Sequence, residues 1–185
     1  MFFFNILSTI WAATSIPAEQ KMQCTQLEVW FPPKDNPTGR IVEFINKAKK
    51  SIYVQAYQLT SQPIADALLE AHKRGVSVVI VADKTQTGGS SCVPALAEAG
   101  LIIWLDSKPP IAHNKVFVID ELHVIGGSFN YSKNATKNAE NCTFYENQPQ
   151  IAHIYLTNVQ RRMTASSQYH EYLKAKENRA AKKKK

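Results

Sequence analysis

The chain has 185 residues, 44% of them hydrophobic and 20% charged, which suits one globular domain and is too short for two typical ones. Lys and Arg number 22 against 15 Asp and Glu, a formal charge of +7. This excludes an acidic disordered chain and points to polyanionic partners such as nucleic acid or lipid headgroups.

Residues 1–18 carry no charged side chain and end in small residues, so they read as a secretory signal cleaved after Ser15 or Ala18, with an uncleaved membrane anchor as the alternative. The expectation is an exported protein, periplasmic or secreted, with a folded domain over 24–173 and a basic tail over 174–185. Cys24, Cys92 and Cys142 lie far apart without C-x-x-C spacing, which offers neither a zinc site nor a redox pair. Export would allow one disulfide, and the alternative is three small buried thiols.

Residues 26–31 form a strand pattern, and 32–37 is a loop rich in Pro, Asp and Asn. Ile41, Phe44, Ile45 and Ala48 recur at helical spacing, predicting an amphipathic helix over 38–50 with a basic C-terminal end. A strand at 51–59 precedes a helix capped by Thr60 or Ser61, with Pro63 in its first turn, Ile64, Ala67, Leu68 and Ala71 on one face, and Gly75 past its end. The β-branched run 76–82 reads as a buried strand, 83–91 as a loop, 92–99 as a short helix and 101–105 as another buried strand. Two short strands, 115–119 and 122–125, flank Asp120-Glu121 in a hairpin pattern. A helix is predicted from Tyr131, a last strand at 141–145, and one long helix over 151–176 with Ile154, Tyr155, Val159 and Met163 facing inward. The tail holds seven basic residues and one acid, nearly the whole net charge, and reads as a solvated, disordered end. The fold expectation is a single α/β domain with a mixed, largely parallel central sheet flanked by helices on both faces.

The chemistry concentrates between Ile111 and Asn141. His113 and Lys115 are two apart at a strand start, so an imidazole and a fixed cation project from the same face. Strand parity puts Asp120 on the other face or in the hairpin turn, which suits orienting a loop or a base better than touching a reacting atom. Gly126-Gly127-Ser128-Phe129-Asn130 follows a strand, and its backbone N–H groups, hydroxyl and amide could hold an anion such as phosphate. Of the aromatic residues, Trp30, Phe31, Tyr53, Tyr57, Phe117 and Tyr155 read as core, and Tyr131 is a candidate for stacking on a base.

Taken together, His113, Lys115 and Asp120 match H-x-K-x4-D, and Gly127, Ser128 and Asn130 match a following G-S-x-N. On these residues the sequence resembles the phospholipase D superfamily, with Glu140 matching a further acid. The stretches 54–57, 63–65 and 71–75 resemble its short exported endonucleases of the Nuc type. The resemblance implies metal-independent phosphodiester hydrolysis through a phosphohistidine, without a cofactor. His113 would attack phosphorus, Lys115, Ser128 and Asn130 would hold the non-bridging oxygens, and a second histidine would protonate the leaving oxygen. A carboxylate would orient His113, with Glu140 the first choice and Asp120 the second. Relatives use two such motifs and this chain has one, because His72, His123, His153 and His170 lack the matching lysine. A homodimer pairing two His113 residues resolves the count. The expected substrate is DNA, with RNA beside it. A lipid phosphodiesterase acting on anionic lipid such as cardiolipin, and a non-catalytic polyanion-binding protein, are the alternatives.

Overall fold

The computed structural model describes residues 26–182; the predicted signal over 1–18, Cys24 and the last three lysines lie outside them. Cys92 and Cys142 are both free thiols. The element order is β1 (Gln26–Trp30), α1 (Pro37–Lys47), β2 (Ser51–Ala56), α2 (Gln62–Lys73), β3 (Ser77–Asp83), α3 (Val93–Glu98), β4 (Ile102–Asp106), β5 (Lys115–Ile119), β6 (His123–Gly127), β7 (Cys142–Glu146), α4 (Pro149–Thr164), β8 (Ser167–Gln168) and α5 (Tyr169–Lys182).

The eight strands form one sheet in the order β1-β7-β6-β5-β2-β3-β4-β8. It is mixed, as the sequence predicts, but less parallel: only β2, β3 and β4 run in parallel, and every other pairing is antiparallel. The reason is connectivity. Parallel neighbours need a crossover helix, which α2 and α3 supply, whereas β5 and β6 join through a hairpin turn.

Side-chain alternation builds two apolar layers. Ile52, Val54, Phe117 and Ile119 join the larger core with Ile41, Phe44 and Ile45 of α1, while Val116, Val118 and Val124 pack against Ile151, Ala152 and Leu156 of α4. Lys115 shares the parity of Phe117 and Ile119 and is drawn inward with them.

Three local predictions are corrected. The helix predicted from Tyr131 is replaced by turns and a single 3₁₀ turn, Ala135–Lys137. The Tyr131 carbonyl instead accepts from the N–H groups of Thr60 and Ser61, both at 2.9 Å, so tertiary bonds take what a helix would need. The long helix over 151–176 is two helices separated by β8, which pairs with β4 and closes the sheet edge. The Ser166 hydroxyl donates to the Arg162 carbonyl at 2.7 Å and ends α4; Ile154, expected inward, is exposed. The tail, expected to be disordered, is helical through Lys182, because Ala, Lys, Glu and Arg are strong helix formers and Tyr169, Tyr172 and Leu173 tie its first turns to the core.

Candidate active site

The carboxyl ends of β2, β3 and β4 lie together, and the chain reaches β5 through residues 107–114 along that edge. Such edges are where open α/β sheets place ligands. His113 sits just before β5 and is exposed, whereas Lys115, the first residue of the strand, is 4% exposed. The Lys115 Nζ lies 3.0 Å from His113 Nδ1 and donates to the His113 carbonyl at 2.7 Å. An ammonium has three protons, so one remains for a substrate oxygen. Burial pushes the Lys115 ammonium down to about 8, against a smaller opposite pull from the Glu140 carboxylate.

Asp83, at the end of β3, holds this edge together. One carboxylate oxygen accepts from the backbone N–H of Ala112 at 2.8 Å, and the other accepts from the N–H and hydroxyl of Thr85. The loops after β3 and before β5 therefore share one buried anchor.

β6 runs antiparallel to β5 and β7 antiparallel to β6, so Ser128 and Asn130 after β6 and Glu140 before β7 return to the same edge. The Ser128 hydroxyl donates to a Glu140 carboxylate oxygen at 2.5 Å and accepts from the Asn141 N–H at 3.0 Å; Asn138 donates to the other Glu140 oxygen at 3.2 Å. Asn130 Oδ1 is buried without a hydrogen-bond partner. Gly127 has φ +146°, and a Cβ there would lie 2.2 Å from the Asn141 carbonyl oxygen. Glycine lets the end of β6 press against the start of β7.

Two expected roles are not met within the chain. Glu140 makes no hydrogen bond to His113, because Ser128 and Asn138 occupy its carboxylate and Lys115 occupies His113 Nδ1. Asp120 is not at the site at all. It lies in the β5–β6 turn with φ 54°, where its carboxylate accepts from the N–H groups of Lys49, Lys50 and Ser51. Burial alone would raise its pKa, but these three donors hold it below the usual carboxylate range. The five residues of β5, at about 3.3 Å each, set it roughly 17 Å from the reactive end.

Sequence reasoning also misassigned two tyrosines. Tyr131 is 1% exposed and packs on Phe117, so it cannot stack on a base. Tyr57, assigned to the core, instead has its ring 4.6 Å from that of His113 and 5.1 Å from Lys115 Nζ, a cation–π contact. The signal for Tyr57 was its place just after β2, the neighbour of β5. Among the described residues no group of His, Cys, Asp and Glu side chains gathers into a metal site.

A mixed α/β sheet carrying an exposed histidine, a buried lysine and a serine–carboxylate pair at one edge defines a phosphoryl-transfer fold of the H-x-K type. Residues 41–163 match the family described as cardiolipin synthase, PLD-like domain, and the chain belongs to the phospholipase D superfamily as one of its phosphodiesterases. A phospholipase D of Rickettsia prowazekii (strain Madrid E) is 41% identical over 142 residues, 76% of this chain and 69% of that protein. The crystal structure of Nuc, a phospholipase D family member from Salmonella typhimurium, superposes with a TM-score of 0.73 at 36% identity, covering 78% of this chain and 97% of that one. A mitochondrial cardiolipin hydrolase of Chlamydomonas reinhardtii is 31% identical over 117 residues, 62% of this chain and 52% of that protein.

Proposed function

We propose that the protein is a metal-independent, sequence-nonspecific endonuclease acting on DNA, and on RNA, through a phosphohistidine in an active site shared by two subunits. The observation that carries the reading is the pairing of exposed His113 with buried Lys115 3.0 Å away: a nucleophile beside a fixed cation with one proton free. His113 Nε2 attacks phosphorus, forming an N–P bond as the P–O bond to the leaving alkoxide breaks. The partner's His113 protonates that oxygen, then takes a proton from the water that cleaves the N–P bond and releases a phosphate monoester.

In the free chain Nδ1 of His113 faces the Lys115 ammonium and acts as acceptor, which leaves the proton on Nε2. Attack through Nε2 requires the opposite tautomer. As the incoming phosphate draws Lys115 toward itself, His113 loses its Nε2 proton to solvent and takes one up at Nδ1, and that Nδ1–H donates to a carboxylate, Glu140 on exchanging Ser128 for His113. Ser128, released from Glu140, and Asn130 join Lys115 around the phosphate.

The polynucleotide reading is supported by the resemblance to short Nuc-type endonucleases and by coverage of nearly the whole Nuc chain. A lipid substrate is the second reading, favoured by the relatives named phospholipase D and cardiolipin hydrolase. The test is cleavage of plasmid DNA, RNA and cardiolipin vesicles side by side in EDTA. The expected result is DNA cleavage that persists in EDTA and disappears in His113→Ala; dependence on Mg²⁺, or hydrolysis of cardiolipin alone, would overturn the reading.

A further inference from the structure

Helix α5 begins beyond the family-matched segment, which ends at residue 163. Strand β8 runs antiparallel to β4, pairing Gln168 with Trp104 and Ser167 with Leu105. The chain then turns at Tyr169, and α5 runs back along this margin of the domain. Its last turns reach the carboxyl end of β4, where a cavity of about 310 Å³ opens between Ser107 and Ser167 on one side and Tyr172, Lys176 and Arg179 on the other. These three α5 residues are spaced i, i+4, i+7, one face of a helix. Lys176 also donates to the Thr87 hydroxyl at 3.3 Å, tying the helix to the loop after β3.

We propose that this cavity is a second phosphate subsite, in which Lys176 and Arg179 hold the backbone of a polynucleotide on its way to or from His113. The proposal rests on the nuclease reading and deepens it by naming a contact that a polymer makes and a single diester does not.

Position is the first argument. Ser107 and His113 belong to one connecting segment along the same sheet edge, and six residues span at most about 22 Å. That is on the order of six phosphates of one DNA strand. Chemistry is the second. Two exposed cations and three hydroxyl-bearing residues, Ser107, Ser167 and Tyr172, surround the cavity, a donor-rich wall that suits a phosphodiester. The nearby acid Asp106 is buried and paired with Arg162, and Glu177 does not line the cavity. The third is what α5 lacks. After Leu173 its side chains are only Lys, Ala, Glu, Asn and Arg, so the helix has no large apolar residue to insert beneath lipid headgroups.

The test uses the full chain carrying His113→Ala, which binds without turnover, with and without Lys176→Ala and Arg179→Ala. Binding of a long single-stranded DNA is followed across a range of NaCl concentrations. Two lost phosphate contacts predict an affinity drop of roughly tenfold and a salt slope shallower by about 1.4, at about 0.7 per contact. Lys176→Arg with Arg179→Lys should keep the parent slope. With His113 intact, the ratio of kcat/KM for long DNA to that for a dinucleotide should fall about tenfold in the double alanine variant. If the parent protein cleaves DNA and neither slope nor ratio moves, the subsite is refuted and the nuclease reading stands. An equal loss in the conservative pair also refutes it, as does a loss of binding to cardiolipin vesicles without a loss on DNA. A parent that cleaves no polynucleotide refutes both.

Discussion

Lys115 has to be buried to be aimed and charged to be useful, and those two demands oppose each other. Desolvation brings its pKa to about 8, while Glu140 pulls the other way and keeps the cation at neutral pH. If the charged form binds the phosphate, kcat/KM should fall as pH rises through about 8, since that parameter reports groups in the free enzyme. Removing the anion removes the raising influence, so in Glu140→Gln the alkaline limb should move to lower pH. A pH profile of kcat/KM for both proteins checks this; a limb that stays in place would show that Lys115 is not the titrating group. Tyr57 belongs to the same local design, its ring offering a face to the lysine and packing on the imidazole.

At the scale of elements, the end of β6 and the start of β7 set the positions of Ser128, Asn130 and Glu140. Gly127 is the point of contact, since an added Cβ would meet backbone that has nowhere cheap to go. Gly127→Ala should cost about 3 kcal/mol, lowering Tm by about 10 °C for a chain of this size, and should suppress activity at temperatures where the variant is still folded. Gly88→Ala, at a position with open space, should do neither. Thermal melting and rate measurements on the pair separate a strained site from a general loss of glycine. Elements carried by periodicity were legible in the sequence: α1, α2, β3 and β5 fall within a few residues of their predicted bounds. Elements decided by partners were not. The backbone of Tyr131 is claimed by Thr60 and Ser61, and β8 exists because the edge of β4 was open. Within the site, His113 beside Lys115 was legible from spacing, and the return of Ser128 and Glu140 to the same edge followed from the motif. The occupation of Glu140 by Ser128 and of Nδ1 by Lys115 was not, because the first depends on a distance across a loop and the second on the rotamers of two neighbouring side chains.

For the whole molecule, one H-x-K motif per chain makes the subunit count part of the proposed chemistry. Ile111, two residues from His113, is 53% exposed, an apolar side chain that a second copy facing across His113 would cover. Ile111→Asp should give a monomer by sedimentation with catalysis lost and melting temperature nearly kept, and the unaltered protein should lose specific activity on dilution below its dimer dissociation constant. Full activity in a demonstrated monomer would sink the shared site.

The anchoring of Asp120 gives the H-x-K-x4-D spacing a meaning separate from reactivity. Its last member touches no reacting group; it clamps the far end of β5 to the start of β2 while His113 and Lys115 stand at the near end. The four intervening residues are the rest of the strand, so the motif works as a ruler whose two ends are a reaction and a fixing point. Inserting one residue between them would reverse the inward and outward faces of part of β5, and the reactive end could keep every one of its side chains and still lose its aim.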